Sequence, residues 1–336
     1  MRRLMHAVVV ALVAVPALVI GQGSDVARVL SAARQALAGD AKAAPVKTLA
    51  ATGRTVRSRQ DGSMSETEFE MSLELPDKFM KRELVVAMGP TSIYRNSGFN
   101  GEGLINVTDT PPALSAGGGV RMMAVHPGAG VPGQQIPKEQ MEEINRKTLA
   151  SIKHEYTRLA LGMFATAPAN FPVVFAYVGQ AESKDGKADV LDVTGAAGFT
   201  ARLFIDGTTH LPLMLSWKDK EPLVMTMGSG SGPQQMSAGG GSFQVITGGP
   251  GGRQITPEDA AQMQREAEAR MKEADARRRI VEYQLFYADY KAFDGVKLPT
   301  RIQRTIEGKP AEEITFDRIK VNPKIDAKKF EVNKDK

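Results

Sequence analysis

Alternation is the feature that most limits what this chain can fold into. Phe69, Met71, Leu73 and Leu75 alternate with Glu70, Ser72 and Glu74. A period of two puts every second side chain on one face, the pattern of a strand in a sheet covered on one side. Ala201, Leu203 and Ile205 share such a face. Leu211, Leu213, Leu215 and Trp217 share another, with Pro212, Met214, Ser216 and Lys218 opposite. Val281, Tyr283, Leu285 and Tyr287 alternate with Glu282, Gln284, Phe286 and Ala288, and Val296, Leu298, Thr300 and Ile302 form one more face. Shorter strands fit 79–88, 91–97, 103–107 and 314–321. Asp61-Gly62, Asp185-Gly186, Ala197-Gly198, Asp206-Gly207 and Asp294-Gly295 punctuate them as turns. Together they predict about eleven or twelve strands in antiparallel meanders.

Helical spacing replaces the alternation in three places. In 24–38, Val26, Val29, Leu30, Ala33 and Leu37 make one stripe, with Ser24 placed to cap and Gly39 to stop. In 138–165, Met141, Ile144, Thr148, Ile152, Tyr156, Leu159 and Met163 step by three or four, between Pro137 and Pro168. The third, 256–277, lacks large apolar groups and carries Glu266–Arg270, Glu268–Lys272 and Glu273–Arg277, so it reads as an exposed helix inserted between strands. Residues 110–137 are rich in Gly and Pro, which excludes a core strand. Residues 228–253 are low-complexity and read as mobile. The fold class is α+β, mostly β: a curled antiparallel sheet with two helices laid on its apolar face.

The first residues set the compartment. Arg2 and Arg3 precede an uncharged, mostly apolar run over 7–20, and Val19 and Gly21 stand where a cleavage site needs small residues. This is the layout of a secretory signal peptide over 1–21, with a mature start near Gln22 and a periplasmic destination. No other segment is long and apolar enough to span a bilayer. The chain has no cysteine, hence no disulfide, thiolate metal site, cysteine nucleophile or lipid-bearing cysteine. Its net charge of +5 is too mild to argue for nucleic acid.

Catalytic motifs fail on inspection. Gly128, Gly130 and Gly133 spell a dinucleotide fingerprint, but Pro132 interrupts it and no strand-turn-helix frame surrounds it. His154-Glu155 opens a zinc-protease pattern whose second histidine would fall at Arg158. His126, His154 and His210 are scattered and read as solvated surface. No catalytic residue, metal or cofactor is expected, and the reading is of a non-enzyme.

Binding is suggested instead by architecture. Helices on a curled sheet either fill its concave face or leave an apolar pocket. Trp217, Leu213, Leu215, Phe204, Tyr177, Phe175, Tyr283 and Met163 are the candidate lining residues. Methionine adapts to variable ligand shapes, and Trp217 could hold its N–H at a wet rim. Each also reads as ordinary core packing.

The order of signatures has a family look. Residues 47–53 read Lys-Thr-Leu-Ala-Ala-Thr-Gly; 201–212 run from Ala201-Arg202-Leu203 through Asp206-Gly207 to Leu211-Pro212. Residues 290–299 include Asp294-Gly295-Val296-Lys297-Leu298-Pro299, and Ile319-Lys320-Val321-Asn322-Pro323 and Phe330 follow. This resembles the periplasmic outer-membrane lipoprotein-carrier superfamily of the LolA/LolB type. The resemblance implies a single domain over 22–336. It would be an incomplete antiparallel barrel wrapped around helices 24–38 and 138–165, with an apolar cavity for lipid acyl chains or lipoproteins. The stretches 110–137 and 228–277 depart from a simple carrier and read as insertions. The alternative is a structural or sensing module of the envelope, its cavity filled by its own side chains, that binds another protein through 256–277 or the glycine loops. A hydrolase is a third reading.

Overall fold

The computed structural model describes residues 22–38, 45–58, 62–88, 91–109, 120–125, 138–184, 186–222, 234–238, 241–247 and 272–332, together with Gln262, Arg265, Glu266 and Ala269. The leader-like segment, Gly39 and most of the expected third helix lie outside them. So do the whole dinucleotide-like motif and His126.

Two helices stand where helical spacing put them, α1 (Gln22–Ala38) and α2 (Lys138–Phe164). The first half of the chain gives β1 (Thr48–Ser58), β2 (Met64–Glu74), β3 (Lys78–Met88), β4 (Thr91–Asn100), β5 (Gly103–Asp109) and β6 (Val120–Val125). After α2 come β7 (Val173–Ser183), β8 (Gly186–Gly195), β9 (Thr200–Asp206), β10 (Pro212–Lys220), β11 (Gln234–Ala238) and β12 (Gly241–Thr247). The chain finishes with β13 (Ile280–Phe293), β14 (Val296–Ile306) and β15 (Lys309–Val321).

Twelve strands form one antiparallel sheet, in the order β5-β4-β3-β2-β1-β15-β14-β13-β10-β9-β8-β7. Two meanders, β1–β5 and β7–β10, are joined by the last three strands, which take the middle. β15 pairs with β1 from Leu49 opposite Val321 to Arg57 opposite Glu312. The β13–β14 turn is tight because Asp294 and Gly295 both take positive φ, 47° and 85°, as a two-residue primed hairpin requires.

The two glycine-rich stretches read as loops contain strands of their own: β11, β12 and β6 form a separate three-stranded sheet. Val120-Arg-Met-Met-Ala-Val125 and Phe243-Gln-Val-Ile-Thr247 are the segments there with strand-forming residues and no Gly or Pro.

The large sheet is strongly curled. Lys153 of α2 lies over the Phe99 ring on β4, and Arg158 lies over the Trp217 ring on β10. Those strands are seven places apart, about 34 Å in a flat sheet, whereas five helical residues rise only about 7.5 Å. The strands therefore wrap α2, and α1 bridges β7 and β14. The result is an open half-barrel around two helices, with its principal core on the inner face. The predicted stripe Val29, Leu30, Ala33 and Leu37 of α1 is buried there. Full burial of each Val or Leu contributes roughly 1.5–3 kcal/mol. Phe69, Met71 and Leu73 face the same core, as their alternation predicts.

Candidate functional site

The inner face is shaped by the C-terminal half of α2. From Tyr156 to Met163 nearly every side chain is buried, so this turn of sequence is a plug rather than an amphipathic stripe. Gly162 makes it possible: a Cβ there would meet the Tyr287 ring at 2.1 Å. Tyr287 Oη donates to Arg158 O at 2.8 Å, and Tyr290 Oη donates to Pro212 O at 2.8 Å and Gly162 O at 3.2 Å. Burial pushes both phenols well above their usual range. Tyr156 packs between Phe79 and Phe99, with centroids 5.1 and 5.3 Å away.

Four of the eight candidate lining residues gather at this plug. Trp217 stacks on Tyr283 with centroids 5.2 Å apart and rings 11° from parallel. The Arg158 guanidinium carbon lies over the Trp217 ring, 4.1 Å from its centre. Leu215 and Met163 are fully buried in the same core. Trp217 thus belongs to the packed interior and not to a wet rim. Tyr177 and Phe175 are partly buried on β7. Tyr177 Oη donates to Asp189 Oδ1 at 2.9 Å, and Arg28 of α1 pairs with the same carboxylate at 3.8 Å.

Two candidates sit elsewhere and correct the expected lining. A register shift between Pro212 and Met214 turns Leu213 outward, 40% exposed, while Leu211 and Leu215 stay with the inner core. Phe204 follows Leu203 by one residue and so points to the outer face, where it packs with Met214, Val190 and Ala188. Of the scattered histidines, His154 is half-buried against Phe171 and Phe199, at 5.5 and 5.3 Å, instead of solvated. Burial, then Arg158, holds its pKa below the usual value.

An apolar groove opens where α1, α2 and β14 meet. It encloses about 160 Å³ and is lined by Leu37, Ala38, Val46, Met163, Phe164 and Val296 among others. Arg34 Nε donates to Ala165 O at 3.1 Å, tying α1 to the end of α2 beside this groove. Of this lining only Met163 was a candidate binding residue; Leu37 and Val296 were read as members of apolar faces, and Ala38, Val46 and Phe164 come from element ends where periodicity stops.

A row of charges crosses the inner face at the other end of β1. Arg304 Nη2 lies 2.5 Å from Glu155 Oε2, and Arg158 Nη1 lies 2.9 Å from Glu155 Oε1. Glu312 joins Arg304 at 3.5 Å and Arg57 at 3.2 Å; Arg57 reaches Glu83 at 2.6 Å, and Lys81 reaches it at 3.5 Å. Burial would raise the Glu155 carboxyl, but Arg304 and Arg158 overcome it and hold it at about 2. Burial opposes ionisation of Glu83 as well, and Lys81 and Arg57 lower it on balance. Carboxylates held ionised in this way are poor proton carriers at neutral pH. Among the described residues no cluster of three or more His, Asp or Glu could hold a metal. A signal for the row existed: Arg57 continues the inward series Leu49, Ala51, Gly53, Thr55, and Glu83 continues Phe79 and Lys81.

These features define a class of protein, an open antiparallel half-barrel closed by helices on its inner face. No protein-family model matches the sequence, and no curated protein does. Solved structures with a similar course are an outer membrane lipoprotein-sorting protein domain from Vibrio parahaemolyticus, a LolA superfamily protein from Nitrosomonas europaea and a DUF1329 family protein from Desulfovibrio piger. The first is 11% identical with a TM-score of 0.41, covering 91% of this chain and 94% of its own. The second is 10% identical at 0.43, covering 90% and 96%. The third is 9% identical at 0.42, covering 92% and 96%. Among the described residues, no helix is long and apolar enough to cross a membrane.

Proposed function

We propose that this chain is an exported binding protein of the bacterial cell envelope, working in the periplasm, that accommodates lipid acyl chains, free or on a lipoprotein, against the inner face of its half-barrel. The supporting observation is the apolar groove lined by Leu37, Ala38, Val46, Met163, Phe164 and Val296, of which Leu37, Met163 and Val296 belong to the inner-face core. Its 160 Å³ is below the ~300–1,000 Å³ of sites that enclose a whole small molecule. A full acyl chain therefore enters as α1 lifts, and the Arg34 contact with Ala165 O is the latch it releases. Apolar burial, about 25 cal/mol per Å² before the costs of association, supplies the driving force.

Native mass spectrometry of the mature protein from envelope extract, followed by lipid extraction and titration with a fluorescent fatty acid, tests this. Ala38→Trp fills the groove from an exposed position. Lipid on the wild type, lost in A38W with the unfolding midpoint unchanged, upholds the reading. A bare mass with no uptake overturns it.

A second reading has its own observation. The stack of Arg158, Trp217 and Tyr283 fills the inner face, as a structural or sensing module that binds another envelope protein would have it. The bare mass is the outcome that favours this one.

A further inference from the structure

The charged row does not balance. Arg57, Lys81, Arg95, Arg158 and Arg304 stand against Glu83, Glu155, Glu312 and, beyond Arg158, Asp219: among the described residues, five cations against four carboxylates. The three glutamates are each engaged twice already: Glu155 by Arg158 and Arg304, Glu312 by Arg304 and Arg57, Glu83 by Arg57 and Lys81.

Arg95 is the cation left over. It lies directly across from Glu83 in the β3–β4 ladder, so it shares the inward face of the row. Among the described residues it makes neither an ion pair nor a side-chain hydrogen bond. Its position is also withdrawn from solvent, being neither fully buried nor exposed. Burial and the neighbouring Arg57 both disfavour its charge, and Glu83 alone favours it. A guanidinium withdrawn from water without a partner is costly. Its planar fork matches the oxygens of phosphate or carboxylate.

We propose that Arg95, with Lys81 and Arg57 beside it, is an anion-binding site that takes a phosphate or carboxylate group. Lys81 Nζ lies 5.0 Å from the Phe69 ring, and Phe69 packs edge-on against Phe316 at 5.7 Å. The site therefore joins cations to an apolar floor and suits an anion carried on an apolar body. It stands apart from the groove: Val46 and Arg57 are separated by about 36 Å of extended chain. The inference accordingly goes beyond acyl binding in that groove and does not depend on it.

Isothermal titration of the full mature chain uses three probes: inorganic phosphate, dioctanoyl phosphatidic acid and dioctanoylglycerol. Phosphatidic acid binds the wild type at least about tenfold more tightly than the uncharged diacylglycerol, a hydrogen-bonded charge pair's worth of affinity. Arg95→Gln removes that preference, and Arg95→Lys keeps part of it. Because Arg95 supports no other side chain and its charge is unfavourable where it stands, R95Q does not lower the unfolding midpoint. Binding of inorganic phosphate as well identifies a free anion as sufficient, whereas binding of phosphatidic acid alone identifies a lipid headgroup. The inference falls if neither phosphate-bearing probe binds, if phosphatidic acid and diacylglycerol bind alike, or if R95Q binds as the wild type does. Diacylglycerol binding without phosphate preference would sink it while leaving the acyl-binding function intact.

Discussion

The guanidinium carbon of Arg158 sits 4.1 Å from the centre of the Trp217 ring, while the same side chain donates to Glu155. A cation is thereby held on an aromatic face inside the half-barrel, where desolvation strengthens the attraction. Arg158→Met would keep most of the packing volume but lose the stack and one of the two cations on Glu155. The expected loss is about 2–3 kcal/mol, below the full cost of breaking a buried pair because Arg304 remains. Urea unfolding followed by fluorescence of Trp217, the chain's only tryptophan, measures it. Arg158→Lys should recover only part, since an ammonium lacks the planar fork.

Gly162 is the position where α2 touches Tyr287 most closely. Gly162→Val should push the helix off the sheet and cost roughly 3 kcal/mol or more by overpacking. Tyr287→Phe, which loses only the hydrogen bond to Arg158 O, should cost about 1 kcal/mol. In a double-mutant cycle, Tyr287→Ala should relieve part of the Gly162→Val penalty. Strict additivity of the two would show that the contact is not what limits the helix.

Leu213 and Leu215 were one face by sequence and are two environments in the fold. Leu213→Lys should change stability by no more than about 0.5 kcal/mol. Leu215→Lys, which buries an unpaired ammonium at a fully buried site, should abolish folding. Circular dichroism melts of the two variants give the comparison directly.

The Glu155 pairing has a pH signature. Its carboxyl is held at about 2, against an ordinary 4.5, so the folded chain binds this proton more weakly than the unfolded chain. The contribution is complete above the unfolded value and fades as pH falls from about 4.5 towards 2. The side chain is 44% exposed, so solvent screens the pairing and the step is shallow. Melting temperatures between pH 6 and 2 should fall more steeply for the wild type than for Glu155→Gln. Parallel curves would contradict the assignment.

Local pattern carried much of the architecture. The odd-numbered inward residues of β2, the stripe of α1, and the Asp294-Gly295 hairpin were all legible, because each depends on neighbours within a few positions. The strand count of the large sheet followed for the same reason, whereas the three strands of the small sheet lie in stretches that composition marked as loops. The partly legible case is α2: Tyr156 and Met163 were placed on the buried face, but Met141 on the same predicted stripe is 39% exposed. Only the half of the helix that enters the half-barrel is covered, and the stripe does not record where the barrel ends.

The candidate site was less legible. A single register slip in β10 moved Leu213 out, and nothing in Leu-Pro-Leu-Met-Leu announces it. Arg57, Glu83, Arg304 and Glu312 come from strands far apart in sequence and look, one at a time, like solvent-facing charges. The sequence by itself determined the strands of the large sheet, the two packed helices, the absence of cysteine chemistry and the inward parity of most residues. Those follow from backbone periodicity and composition. Only the tertiary structure decided which strands meet, that α2 plugs the inner face, and that Arg95 is left without a carboxylate. Pairing β1 with β15 and curling the sheet bring together side chains as far apart in sequence as Arg57 and Glu312, and an ion pair's energy depends on distance in space.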